Sequence, residues 1–160
     1  MPFVYGVSAA GVNYQTSASA DTEDAYMALR QATRGFSLQA IFAAGKAAAA
    51  TVLNGVGHHV RRWTTAGSGG TALTPAPRFA LSPAAVTVAA DKQTALTPGT
   101  VSGALQLAFG HGGSTGNSWV ARDEDSKIHV EAGSADELAL YSITAGTVAL
   151  KFTASAEIQE

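Results

Sequence analysis

The chain is patterned for strands from end to end. Val148, Leu150, Phe152, Ala154, Ala156 and Ile158 are interleaved with Ala149, Lys151, Thr153, Ser155 and Glu157. Side chains two residues apart share a face of extended backbone, so this alternation predicts a half-buried strand. Glu137 to Ile143 is a second short apolar run, and Thr144-Ala145-Gly146 supplies a turn, which together predict a terminal hairpin. Lys127 to Glu131 alternates before the Gly133-Ser134 break. Phe3 to Val7, Val56 to Trp63 and Ala85 to Ala89 repeat the style, and so does Phe36 to Ala43 between Gly35 and Gly45. Short strands punctuated by Gly, Pro and Ser predict an all-β fold, a β-sandwich of jelly-roll type.

Two segments resist that pattern. Asp21 to Arg34 opens with acidic residues before Ala25-Tyr26-Met27-Ala28-Leu29-Arg30, and Ala47 to Leu53 is alanine-rich, so local propensity favours helix in both. Tyr26, Ala28 and Arg30 also alternate with Ala25, Met27 and Leu29, which tilts residues 25–31 toward strand while helix stays open for 21–34 and 47–53. Around Arg61-Arg62-Trp63 an amphipathic strand runs into Gly67, Gly69 and Gly70 and then a stiff Thr74-Pro75-Ala76-Pro77 exit. Regular structure is expected to stop near Ala66. Long Gly/Ser/Pro loops are expected over Ala66 to Pro83 and Gly110 to Ser118, and loops of that length are usually functional or ordered by a partner.

Composition sharpens the picture. A chain of 160 residues suits one domain spanning residues 1–160, with 1–20 a possible extended arm. Apolar residues make up 46% and charged residues 14%, against about 25% charged in ordinary soluble domains. Much of the surface is therefore Ala, Gly, Ser and Thr. Such a surface is cheap to desolvate and loses little rotamer entropy on contact, which suits flat packing against another protein. The net charge of −2 gives no drive toward nucleic acid or an anionic membrane, so neither is expected as a partner. Cysteine is absent, which excludes disulfides and thiolate chemistry. The start lacks a secretory pattern and no run approaches the ~18 apolar residues of a membrane span, so the chain reads as soluble and unprocessed.

Candidate chemistry is sparse. Gly112-Gly113-Ser114-Thr115-Gly116 fits the G-x-S-x-G spacing of a nucleophile elbow, with Asp123 or Asp125 and His129 as the partners it would need. Those partners follow within fifteen residues on a loop and a strand, and no helix opens after the serine, so the match reads as accidental. His58 and His59 are adjacent and point to opposite faces of a strand, so they cannot share one metal; His111 and His129 add no ligand spacing. Asp123-Glu124-Asp125-Ser126 resembles part of a calcium loop but has Ile128 where the sixth-position glycine belongs. Arg61 and Trp63 share a strand face with Arg62 opposite, which is weak support for phosphate contact with base stacking. Carbohydrate stacking on Trp63, Trp119 and the tyrosines is conceivable. No catalytic residue, cofactor or metal is assigned.

Val60-Arg61-Arg62-Trp63-Thr64-Thr65-Ala66-Gly67-Ser68-Gly69-Gly70-Thr71-Ala72-Leu73-Thr74-Pro75-Ala76-Pro77-Arg78 resembles a strand-loop signature of small structural proteins of tailed-bacteriophage virions. Asn117-Ser118-Trp119-Val120-Ala121, Ile128-His129-Val130-Glu131-Ala132, Leu140-Tyr141-Ser142 and Phe152 to Glu160 resemble the second half of the same proteins. The resemblance covers roughly residues 36–160. It implies a head decoration, or capsid cement, protein: a jelly-roll sandwich on the capsid exterior, made in the host cytoplasm. Such a protein is no enzyme and bridges neighbouring major capsid protein subunits as a homo-oligomer, dimer or trimer. Arg61, Arg62, Trp63, Thr74, Pro75 and Trp119 are then the candidate interface residues. The alternative is a receptor- or carbohydrate-binding module of a phage tail or fibre.

Overall fold

The computed structural model describes residues 2–15, 22–30, 33–47, 56–111, 116–132, 135–144 and 149–160. Twelve strands appear in chain order: β1 Val4–Gln15, β2 Thr22–Arg30, β3 Phe36–Ala47, β4 Val56–Trp63, β5 Ser68–Leu73, β6 Ala76–Pro77, β7 Val88–Thr97, β8 Val101–His111, β9 Gly116–Val120, β10 Ile128–Val130, β11 Glu137–Thr144 and β12 Ala149–Gln159. No helix occurs among the described residues. The strands form two antiparallel sheets, one ordered β10-β3-β12-β1-β6 with β9 also on β3, the other β5-β7-β2-β11-β4-β8. The fold is all-β, a β-sandwich of jelly-roll type, and its core lies between the sheets.

Alternation decides which side chains fill that core. Tyr5, Val7 and Ala9 of β1 face inward with Ala154, Ala156 and Ile158 of β12, and they meet Met27, Leu29, Val60, Leu138 and Leu140 from the second sheet. β2 carries a bulge: opposite β11 the register steps from Met27 to Ala25, leaving Tyr26 unmatched. An extra residue turns two neighbours to one side, so Tyr26 and Met27 both enter the core. Residues 25–30 are thus strand, against their helix propensity, and Gln31 lies outside the described residues; Ala47 ends β3, and 48–53 also lie outside them.

Several expectations need correction. β11 and β12 are no hairpin, because β11 pairs β2 and β4 while β12 pairs β1 and β3 in the other sheet. Leu138, Ala139, Leu140 and Tyr141 are all buried, so β11 needs cover on both faces and takes a central place in its own sheet. Ala85 to Ala89 is mostly irregular, with β7 starting at Val88. The reason is local: the Glu160 carboxylate accepts the Val86 N–H (2.9 Å), the Thr87 N–H (2.8 Å) and the Thr87 hydroxyl (2.8 Å), so these donors never enter a ladder. The two long loops shrink, one containing β5 and β6 and the other bounded by β8 and β9. Gly69 (φ 73°) and Gly70 (φ 83°) occupy the left-handed region, which lets the chain bend sharply yet pair with β7. Within residues 1–20, the possible extended arm, Val4 to Gln15 form β1, flanked by β12 and β6.

The core contains an ionisable pair with a measurable signature. The Tyr26 hydroxyl lies 3.2 Å from Nδ1 of His58, whose ring stacks on Phe109 at 5.0 Å. Burial pushes the Tyr26 phenol far above its ordinary value of 10.0. Tyr5 moves in the same direction through burial and the nearby Glu160 charge. Both groups therefore hold their protons more tightly folded than unfolded. Their contribution is complete below pH 10 and is lost as pH rises beyond it, at up to about 1.4 kcal/mol per pH unit for Tyr26. Urea unfolding between pH 9 and 11 is expected to show this decline, shallower in Tyr26→Phe. An identical slope in that variant would refute the assignment.

Candidate interface

Neither tryptophan presents its ring as a contact surface. Trp63 ends β4 on the outward face of its sheet but is 0% exposed, enclosed by Ala25, Ala28, Leu96, Ala139 and Tyr141. Its Nε1–H donates to the Tyr141 hydroxyl at 2.6 Å, and the two rings meet edge to face. The segment after β4 folds over the ring so closely that a Cβ on Gly67 would stand 2.4 Å from it. Trp63 is thus corrected from interface to core. Trp119 pairs Ile41 across the β3–β9 ladder and packs against the main core, half-buried.

The remaining candidates divide. Arg61 is half-buried on the Trp63 face. Arg62 points the other way, as alternation requires, and donates to Asp136 Oδ2 (3.1 Å) and to the His129 carbonyl (2.5 Å), tying β4 to β10 across the two sheets. It works as a clamp. Thr74 is exposed and Pro75 half-buried in the short link from β5 to β6.

The other chemical candidates are also accounted for. Ser114 lies outside the described residues. His58 is buried and His59 half-buried on the opposite face. His129 lies on an exposed face with Nδ1 2.7 Å from the Ser37 hydroxyl. Asp123 and Ser126 close their own turn, the Asp123 carboxylate accepting the Ser126 N–H at 2.9 Å. Among the described residues no group of three or more His, Asp or Glu side chains is placed to hold a metal ion.

Two surface features had no counterpart in the sequence reading. The first is the outer face of the β3-β12-β1 sheet, where cross-strand pairing lines up Ser8, Ser155, Phe42 and Ser118 in one row. Phe42 is 46% exposed there. With Ala44, Gly116 and Thr153 it lines an open groove of about 410 Å³. At Gly116 a Cβ would meet the Ala43 carbonyl and Ala44 at 3.2 Å, so a larger residue there would press β9 slightly away from β3.

The second feature is the turn after β6. Arg78 lies over Gly6, where a Cβ would come within 3.2 Å of its guanidinium, and pairs with Glu157 at 3.1 Å. Beyond it the Ser82 N–H donates to the Phe79 carbonyl (3.0 Å), closing a tight turn that leaves Phe79 65% and Leu81 99% exposed. The chain is then fastened down again by the Tyr5 hydroxyl, which donates to the Pro83 carbonyl at 3.0 Å, and by Glu160. Anchors on both sides make this a fixed knob.

Charges near these features are neutralised in place. Arg30 pairs with Glu137, Arg62 with Asp136, Arg78 with Glu157 and Lys127 with Glu124. Arg34, Arg122, Asp123, Asp125 and Glu131 are also exposed, whereas the residues that line the groove and top the knob carry no charge.

No family model matches the chain, and no curated protein matches it. Two solved structures are similar at a low level: T=1 particles derived from infectious bursal virus (11% identity, TM-score 0.27) and a mutant VP2 protein of infectious bursal disease virus, also as T=1 particles (11% identity, TM-score 0.26). Each match covers 99% of this chain, which spans 40% of the length of the matched one.

Proposed function

We propose that the protein is a structural component of a tailed-phage virion, a non-enzymatic decoration protein that bridges major capsid protein subunits on the outside of the head. The observation that carries this reading is the uncharged face around Phe42, where the exposed strands offer Ser, Thr, Ala and Gly, with Val101 and Leu105 on the β8 edge of the other sheet. A face of this kind contacts another protein with little desolvation of charge and little loss of side-chain entropy. The sandwich supplies rigidity, since both sheets share one core. The loop signature of residues 60–78 supports the same reading.

Mechanically, the role asks for modest affinity per site. Attachment to a lattice is multivalent, and once one contact is made the next forms at high effective concentration. Mixing the purified protein with matching undecorated heads and sedimenting them is expected to give saturable binding at a fixed copy number. Because the contact is neutral, binding is expected to survive salt near 1 M, where the Debye length falls to about 3 Å. Absence of co-sedimentation at saturation rejects the proposal, and release by salt rejects the neutral contact.

A further inference from the structure

The knob and the groove lie on one sheet but on opposite flanks of it. Phe79 and Leu81 follow β6, which forms one edge, while Phe42 sits on β3 beyond both β1 and β12. Three strand spacings of about 4.8 Å put the two roughly 14 Å apart. The turn closed between Phe79 and Ser82 is too short to bridge that span, and the exposure of Leu81 shows that it does not. Within one chain the two cannot meet.

We propose that they meet between chains: the Phe79–Leu81 knob of one copy seats in the Phe42 groove of the next. The two surfaces match in charge, because none of the eight residues that line the groove, Phe42 and Ser118 among them, is ionisable, and Arg78 beside the knob is already paired with Glu157. They also match in size, since a cavity of about 150 Å³ accommodates a benzene ring, and the groove offers about 410 Å³ for a phenyl and an isobutyl group. Made reciprocally by two copies, this contact gives a two-fold dimer with two knob-in-groove contacts; repeated in one direction it closes into a ring or continues as a string. The anchoring of the knob by Arg78, Tyr5 and Glu160 favours one fixed geometry per contact.

This inference concerns the free protein and stands apart from capsid binding. Analytical ultracentrifugation of the wild type is expected to show a species of two or more chains. Leu81→Glu, which destroys the knob, and Phe42→Glu, which blocks the groove, are each expected to be monomeric while retaining the β-type circular dichroism of the parent. The decisive step is mixing the two. One retains an intact groove and the other an intact knob, so the mixture is expected to form a one-to-one pair that neither variant forms alone.

The chain has no cysteine, so a second measurement avoids charged substitutions. Leu81→Cys mixed with Ser118→Cys is expected to give a mixed disulfide under mild oxidation in preference to either self-linked product. A monomeric wild type, a variant mixture that stays monomeric, or self-linked products only would each overturn the proposal. Ring formation without head binding would leave it standing and sink the decoration reading instead; head binding by a monomer that is lost in Phe42→Glu would assign the groove to the capsid.

Discussion

Trp63→Ala is expected to lower the unfolding free energy by about 3–5 kcal/mol, the range for emptying a fully enclosed aromatic site. The indole is 0% exposed and forms the centre of the second apolar cluster. Its removal withdraws cover from Ala28, Ala139 and Leu96, ends the 2.6 Å bond to Tyr141, and leaves Gly67 without the surface it rests on. The neighbouring backbone offers little collapse into the void. The Thr64 N–H donates to the Thr100 carbonyl (2.8 Å), and the Thr100 N–H to the Thr65 hydroxyl (2.8 Å), so the covering segments are held in place from outside the cluster. Trp63→Phe refills part of the space but loses the N–H bond, and is expected to cost about 1–2 kcal/mol. Urea denaturation checks both. A loss under about 1 kcal/mol for the alanine variant would mean that the cluster bears no weight in the fold.

The second large effect belongs to Glu137. Its side chain is 1% exposed, pairs with Arg30 and accepts the Gly67 N–H at 3.2 Å, while Arg30 also donates to the Gly67 carbonyl at 2.5 Å. Three elements are fastened by this one group: β2, β11 and the segment leading into β5. Arg30→Ala strands a buried carboxylate, which costs about 3–5 kcal/mol where both partners are enclosed. Arg30 is 41% exposed, so water partly replaces it and the lower end, about 3 kcal/mol, is expected. Pairing Arg30→Ala with Glu137→Leu is expected to recover most of that loss, because the desolvation penalty disappears with the charge. A double variant as unstable as Arg30→Ala would show that Arg30 acts through its stem alone.

The sequence was most informative where one face of a strand is buried and the other wet. β4 runs over the same eight residues that alternation predicts, Val56 to Trp63, and β12 matches almost as closely. Pairing was another matter, because a period of two identifies a strand without naming its neighbour. That is why β11 and β12, separated by a plausible turn, read as a hairpin although they lie in different sheets. β8 escaped notice since Gly103, Ala104, Ala108 and Gly110 dilute its alternation. The candidate interface was harder still. Trp63 looked available because nothing local reveals that Leu96 and Gly67 close over it, and the groove exists only where β9 pairs with β3, more than seventy residues away. A clue to the knob was present nonetheless: Phe79 and Leu81 stand in a short segment bounded by Pro77 and Pro83, an unusual place for two large apolar side chains.

The place of β12 has a consequence for biogenesis. It lies between β1 and β3, and Phe3 and Glu160 exchange reciprocal backbone bonds of 3.0 and 2.9 Å beside it. During synthesis β1 emerges well before β12, and among the described residues its only other ladder partner is the two-residue β6. The first sheet is therefore completed only once β12 is available. Contacts this distant along the chain form on the millisecond-to-second scale typical of sandwiches, so a nascent copy spends that interval with the edges of β1 and β3 that β12 later fills still open to other chains.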